Sequence, residues 1–110
     1  YLQENGNMLR LGPFQGSVAC YTIPYGKGVC GKAWEEGRTL IVPNVETFPG
    51  HIACSSRSRS EIVIPMYDSQ SHFRGVLDID STRFDDFSTE DKDGLEHVIQ
   101  LLMTQIEDLF

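Results

Sequence analysis

Three thiols and a set of strand-borne acids hold most of the chemistry this sequence can offer. Cys20, Cys30 and Cys54 stand ten and twenty-four residues apart, each beside a small residue or a turn former: Ala19-Cys20, Cys30-Gly31, Ala53-Cys54-Ser55. A thiolate is a nucleophile and a metal ligand, and two thiols can carry two electrons by closing a disulfide. Structural zinc sites show closely paired Cys or Cys/His ligands. Here no two cysteines are close in sequence, although His51 stands three residues before Cys54. No metal site and no cofactor are therefore expected. The odd cysteine count, behind an opening Tyr1-Leu2-Gln3 that does not read as a secretory signal, argues against a structural disulfide framework. One reactive pair and a spare thiol suit redox work in a reducing cytosol. The plain alternative is that all three are small buried apolar side chains.

Glu61, Asp78 and Asp80 stand in strand-like runs. In the second of these, Val76 and Asp78 point one way and Leu77 and Ile79 the other. Leu77 and Ile79 are expected to face a core, which leaves Asp78 and Asp80 together on the opposite face. Burying an unpaired charge is costly, so carboxylates on a strand face need water or a partner. Either that face is solvated, or the acids line a negative pocket for a cation such as the ammonium group of an amino acid.

The remaining elements follow from local signals. Residues 1–4 and 8–11 read as strands around Asn5-Gly6, a hairpin turn signal. Residues 21–24 read as a short edge strand ending in Pro24, and Gly26-Lys27-Gly28 as a flexible hinge. Val29 to Glu36 reads as a helix capped by Gly37, with Val29, Ala33 and Trp34 inward. Leu40 to Val42 is a strand stopped by Pro43, and 44–60 a long irregular stretch, which in compact domains is usually functional. Strands over 61–66 and 73–80 flank the turn at 68–71. Ser88 caps a last helix over most of 89–109, whose stripe is Leu95, Val98, Ile99, Leu102, Ile106 and Leu109. That helix must lie across the sheet or against a further helix.

With 110 residues, 40% of them hydrophobic and 23% charged, the chain suits one soluble domain with a modest core. It opens without Met inside an apolar run, which reads as trimmed at the N-terminus. No apolar run is long enough to cross a membrane. Sixteen acidic residues against nine basic ones leave a net charge of −7, which disfavours nucleic acid as a partner.

Several motifs together resemble the free methionine-(R)-sulfoxide reductase family. They are Gly12-Pro13-Phe14-Gln15-Gly16 with Ala19-Cys20, Gly26-Lys27-Gly28-Val29-Cys30-Gly31, and Val42-Pro43-Asn44-Val45. To these are added Phe48-Pro49-Gly50-His51-Ile52-Ala53-Cys54, the run from Ser58 to Pro65, and the run from Gly75 to Ser81. The similarity covers essentially all 110 residues, and Gly-His-Ile-Ala-Cys is its most specific part. The resemblance implies one GAF domain over 1–110, of class α+β, with an antiparallel sheet, helices on one face and a ligand pocket on the other. It implies that the family's N-terminal helix and the first part of its sheet are missing. It further implies that Cys20, Cys30 and Cys54 are redox cysteines, that Glu61, Asp78 and Asp80 bind substrate, and that Tyr1 is a pocket aromatic.

Sulfoxide reduction needs a thiolate at sulfur and a proton for the departing oxygen. Cys54, on the long loop just before Glu61 and close to where the acids gather, is the expected nucleophile and Cys20 its resolving partner, with Cys30 an alternative nucleophile or relay. Cys30 begins a helix, whose dipole favours a thiolate. Glu61 or Asp80, with a raised pKa, is the expected proton source. A thioredoxin-like dithiol would restore the thiols. The resemblance suggests a cytoplasmic homodimer acting on free methionine sulfoxide. Two other readings are a GAF sensor that binds a small ligand without chemistry, and an inert domain with buried thiols.

Overall fold

A computed structural model describes residues 1–16 and 18–106. Its elements, in chain order, are strands β1 (Leu2–Glu4), β2 (Met8–Arg10) and β3 (Thr22–Pro24), and helix α1 (Gly28–Glu36). Strands β4 (Leu40–Val42), β5 (Ser60–Tyr67) and β6 (Phe73–Ser81) and helix α2 (Thr89–Ile106) follow. The strands form one antiparallel sheet in the order β3-β2-β1-β6-β5-β4. The α+β class and the GAF-like antiparallel sheet expected from the sequence are present. No helix among the described residues is long and apolar enough to span a membrane.

Alternation along β5 and β6 sorts side chains between two layers. Ile62, Ile64 and Met66 of β5 pack with Leu77 and Ile79 of β6 against Ile99 and Met103 of α2. On the other face, Val63 and Val76 pack with Leu9, Val29, Cys30, Ala33, Leu40 and Val42. Thus α2 covers one face and the pocket opens on the other, with α1 standing on the pocket side as a wall. The second face is where the site will lie, because register sets Glu61 opposite Asp80 and Val63 opposite Asp78.

Local chemistry explains the ends of the helices. Ser88 Oγ accepts from the Asp91 amide while Asp91 Oδ2 accepts from the Ser88 amide, a reciprocal cap that satisfies two N-terminal donors of α2. The stripe position Leu109 lies outside the described residues. Gly37 ends α1 at φ 66°, left-handed, with its amide on the Ala33 carbonyl. Gly26-Lys27-Gly28 is not the free hinge its composition suggests. Both glycines are left-handed, and the turn is closed by Lys27 N–H to the Pro24 carbonyl and Gly26 N–H to the Gly31 carbonyl. The turn docks α1 against β3 so closely that a Cβ on Gly31 would sit 2.6 Å from the Pro24 carbonyl oxygen. Trp34 then stacks on Phe73 at 4.8 Å, tying the outer half of α1 to the start of β6.

Candidate functional site

The stretch between β4 and β5 is less irregular than its composition suggests. Asn44 Oδ1 caps a short 3-10 turn, Val45–Thr47, by accepting from the Glu46 amide. The base of the loop is closed by Val45 N–H to the Arg59 carbonyl, and Arg59 N–H bonds the Ser81 carbonyl. Phe48 and Ile52 drop into the α1-side core. Gly28, lacking a side chain, lets Ile52 lie where a Cβ would meet it at 3.1 Å. This packing carries Cys54, two residues on, to the segment before β3. There Cys54 and Cys20 are joined in a disulfide with a Cα–Cα distance of 5.4 Å, across 34 residues of chain.

Beside the disulfide lies an open cleft of about 1030 Å³, whose lining includes Tyr1, Cys30, His51, Cys54, Glu61, Asp78 and Asp80. It therefore gathers every candidate site residue except Cys20, which reaches its rim through the bond to Cys54. The cleft continues past the flank of β6 towards Ile99 and Leu102 of α2. Among the described residues, β1 pairs with β6 at one register only, Leu2 with Gly75. Tyr1 extends that pairing by one reciprocal contact, its carbonyl accepting from Val76 N–H and its amino group donating to the Val76 carbonyl.

The acids are crowded. The Cys30 sulfur and one carboxylate oxygen from each of Glu61 and Asp78 all lie within 4.8 Å of one another. Glu61 is 5% exposed and Cys30 3%. Burial first, then contact with the Asp78 carboxylate, pushes the Glu61 pKa up to about 11, so it holds its proton at neutral pH. Asp80 stays open to solvent at the mouth of the cleft. Partial shielding by the cleft walls, then the Asp78 charge, raises it to about 7. Burial, with Asp78 and Glu61 adding to it, raises the Cys30 thiol well above the ordinary thiol value. The helix-start argument for a Cys30 thiolate therefore loses to desolvation. Burial also raises the Tyr1 phenol, which sits among the same negative groups.

His51 was not singled out as a site residue by sequence reasoning. Its Nε2 lies 3.7 Å from Glu61 Oε1, and it is largely enclosed. With Glu61 neutral, this is a polar contact and not an ion pair. The signal lay in Gly50-His51, a polar ring behind a left-handed glycine in a stretch otherwise anchored by apolar side chains.

Other proteins resemble this chain in sequence and fold. A GAF domain family model matches residues 1–106. A Dictyostelium discoideum relative, GAF domain-containing protein A, is 53% identical over 102 residues, covering 93% of this chain and 64% of its own. A Saccharomyces cerevisiae relative, a free methionine-R-sulfoxide reductase, is 48% identical over 96 residues, covering 87% of this chain and 53% of its own. The crystal structure of the Neisseria meningitidis free methionine-R-sulfoxide reductase in complex with its substrate superposes with a TM-score of 0.94 at 44% identity. That superposition covers 97% of this chain and 64% of the other. The chain thus spans between about half and two thirds of the length of these relatives. Matched by the family model from its first residue to Ile106, the chain belongs to the GAF domain family.

Proposed function

We propose that this protein reduces free L-methionine-(R)-S-oxide to L-methionine. The observation that carries the proposal is the Cys20–Cys54 disulfide bordering a cleft lined by Glu61, Asp78 and Asp80. The names of the yeast and Neisseria relatives point the same way.

In the working cycle Cys54, half-buried at the cleft, attacks the sulfoxide sulfur as a thiolate. The S–O bond breaks, the oxygen passes with one proton to Cys54, and methionine leaves, its sulfur reduced by two electrons. The Cys54 sulfenic acid then condenses with the Cys20 thiol, forming the disulfide and releasing water. A thioredoxin-like dithiol returns two electrons by exchange and restores both thiols. Cys54 is favoured over Cys30 as the attacker because the Cys30 thiol keeps its proton in a buried, negative surrounding. Glu61 carries the proton, since its carboxyl is neutral at the pH of the reaction. Asp78 and Asp80 grip the substrate ammonium, and Tyr1 and His51 close the pocket around it.

The acids also select the substrate. Asp78 Oδ1 is buried without a hydrogen-bond partner. A free amino acid brings an ammonium to it, whereas a methionine inside a peptide brings an amide and leaves the charge uncompensated. A chiral pocket offers one face of the sulfur, so one sulfoxide epimer reacts. The cycle suits a reducing cytoplasm, and the same reading includes a homodimer.

The test is NADPH consumption in a thioredoxin-coupled assay with free methionine-(R)-sulfoxide. Turnover is expected with the free amino acid and not with its N-acetyl or peptide forms. Cys54→Ser should abolish turnover, and Cys20→Ser should stall it after one equivalent of methionine. Equal rates on free and N-blocked substrate would remove the basis of the proposal.

A further inference from the structure

Asp78 and Asp80 account for the ammonium of a free amino acid, but the same carbon of that substrate also bears a carboxylate. A second negative group in a cleft already lined by Glu61, Asp78 and Asp80 is repelled unless a cation faces it. Among the described residues, the one lysine or arginine lining the cleft is Arg57. Its backbone amide donates to Ser55 Oγ at 3.3 Å, while its exposed guanidinium has no partner among the described residues. Arg59 is differently employed. Its Nη1 donates to the Ser56 and Ser58 carbonyls, and its guanidinium lies 5.9 Å from the centre of the Phe84 ring. We propose that Arg57 is a specificity-determining residue, its guanidinium taking the α-carboxylate of the substrate while Asp78 and Asp80 take the ammonium. This assignment rests on the proposed reduction of a free amino acid.

The placement of Arg57 suits that role. It follows Cys54 by three residues on the same loop, and both line the cleft. The Arg59 amide bonds the Ser81 carbonyl, next to Asp80, so this end of the loop is fastened beside the acids. One segment thus carries both the attacking sulfur and a cation for the far end of the substrate. A guanidinium presents a planar fork that matches a carboxylate with two parallel hydrogen bonds. No ion pair within the protein has to break before it engages. Because Arg57 is exposed, water and salt screen the pair, and its contribution to kcat/KM is about fivefold to tenfold. The consequence is recognition at both ends of the amino acid. A methionine at a peptide N-terminus keeps the ammonium and still lacks the group that Arg57 holds.

Kinetics with two substrates test the assignment: free L-methionine-(R)-S-oxide, and L-methioninamide-(R)-S-oxide, which keeps the ammonium and the sulfoxide but has no carboxylate. Both are assayed at about pH 6.5, where the α-amino group of each is mostly charged. The unaltered protein should prefer the carboxylate substrate by about fivefold to tenfold in kcat/KM. Arg57→Gln should lower kcat/KM for that substrate by the same factor, chiefly through KM, and leave the amide unchanged, so that the preference disappears. Arg57→Lys keeps the charge without the fork and should retain part of the preference. Arg38 is exposed, pairs with Glu36 and does not line the cleft, so Arg38→Gln removes the same charge and should behave as the unaltered protein. A preference that survives in Arg57→Gln, an equal fall on both substrates, or the same loss in Arg38→Gln would each overturn the assignment and leave the reductase reading standing. Turnover of neither substrate by the unaltered protein would overturn that reading, and the role of Arg57 with it.

Discussion

Reducing the Cys20–Cys54 bond should cost the folded protein a large share of its stability. The bond closes 34 residues of chain and so removes many conformations from the unfolded ensemble. The loop-closure relation for that length gives about 4 kcal/mol at room temperature. Small domains are stable by about 5–15 kcal/mol in total, so the difference is easily measured. The perturbation is dithiothreitol, or Cys20→Ser where reduction must be permanent. Urea unfolding of oxidised and reduced protein at one pH should separate the two midpoints, and thermal melts should differ by roughly 15 °C. The segment from Asn44 to Arg59 should become the first to be cut by protease on reduction. It is then held by Val45, Phe48, Ile52 and a few local hydrogen bonds. Equal stability of the two redox forms would mean that these cysteines do not constrain the chain as described. A reduced form more stable than the oxidised one would mean that the bond strains the fold more than it restricts the unfolded chain.

Other consequences can be checked as directly. Glu61 keeps its proton in the fold up to about pH 11 but loses it near pH 4.5 when unfolded, so between those values the native state binds more protons and stability falls as pH rises. Glu61→Gln should remove that decline, up to about 1 kcal/mol per pH unit in urea unfolding from pH 6 to 9, and should lower turnover; parallel slopes for the two proteins would show Glu61 ionised. In fully reduced native protein, a bulky aromatic disulfide reagent should titrate two thiols quickly and Cys30 only on unfolding, since Cys30 is 3% exposed; three equally fast thiols would contradict its burial. Gly31→Ala should destabilise by about 1–3 kcal/mol, because its Cβ would press on the Pro24 carbonyl and lift α1 from β3; a neutral effect in urea unfolding would show that the turn can yield.

Features encoded by short-range pattern were readable before any coordinates. The alternation of Val76 to Asp80 announced which face the acids share, and Ser88 announced the start of α2. Gly37 announced the end of α1. What depended on long-range packing was not readable. Nothing between Ala19 and Ser55 says that Cys20 bonds Cys54 and not Cys30, because the choice is made by Ile52 and Phe48 entering the core. The burial of Cys30 likewise follows from α1 docking against β3 and β6, which reverses the expectation that a helix start would make it a thiolate. Gly26 to Gly28 looked mobile because glycine composition carries no information about which carbonyls the turn will bond. The resemblance to a known family supplied roles that spacing could not.

Strand β6 has a further meaning for how this sequence tolerates change. One of its faces is apolar, packed on α2; the other bears the carboxylates, and the two alternate residue by residue. Inserting or deleting a single residue between Gly75 and Asp78 would exchange them, driving acids into the greasy layer and turning Leu77 and Ile79 toward the cleft. Point substitutions here are graded in effect, whereas a frame slip of one is all-or-none. Length in this strand should therefore be held more strictly than identity, and length variation should collect instead at the Asp68 to Ser71 turn.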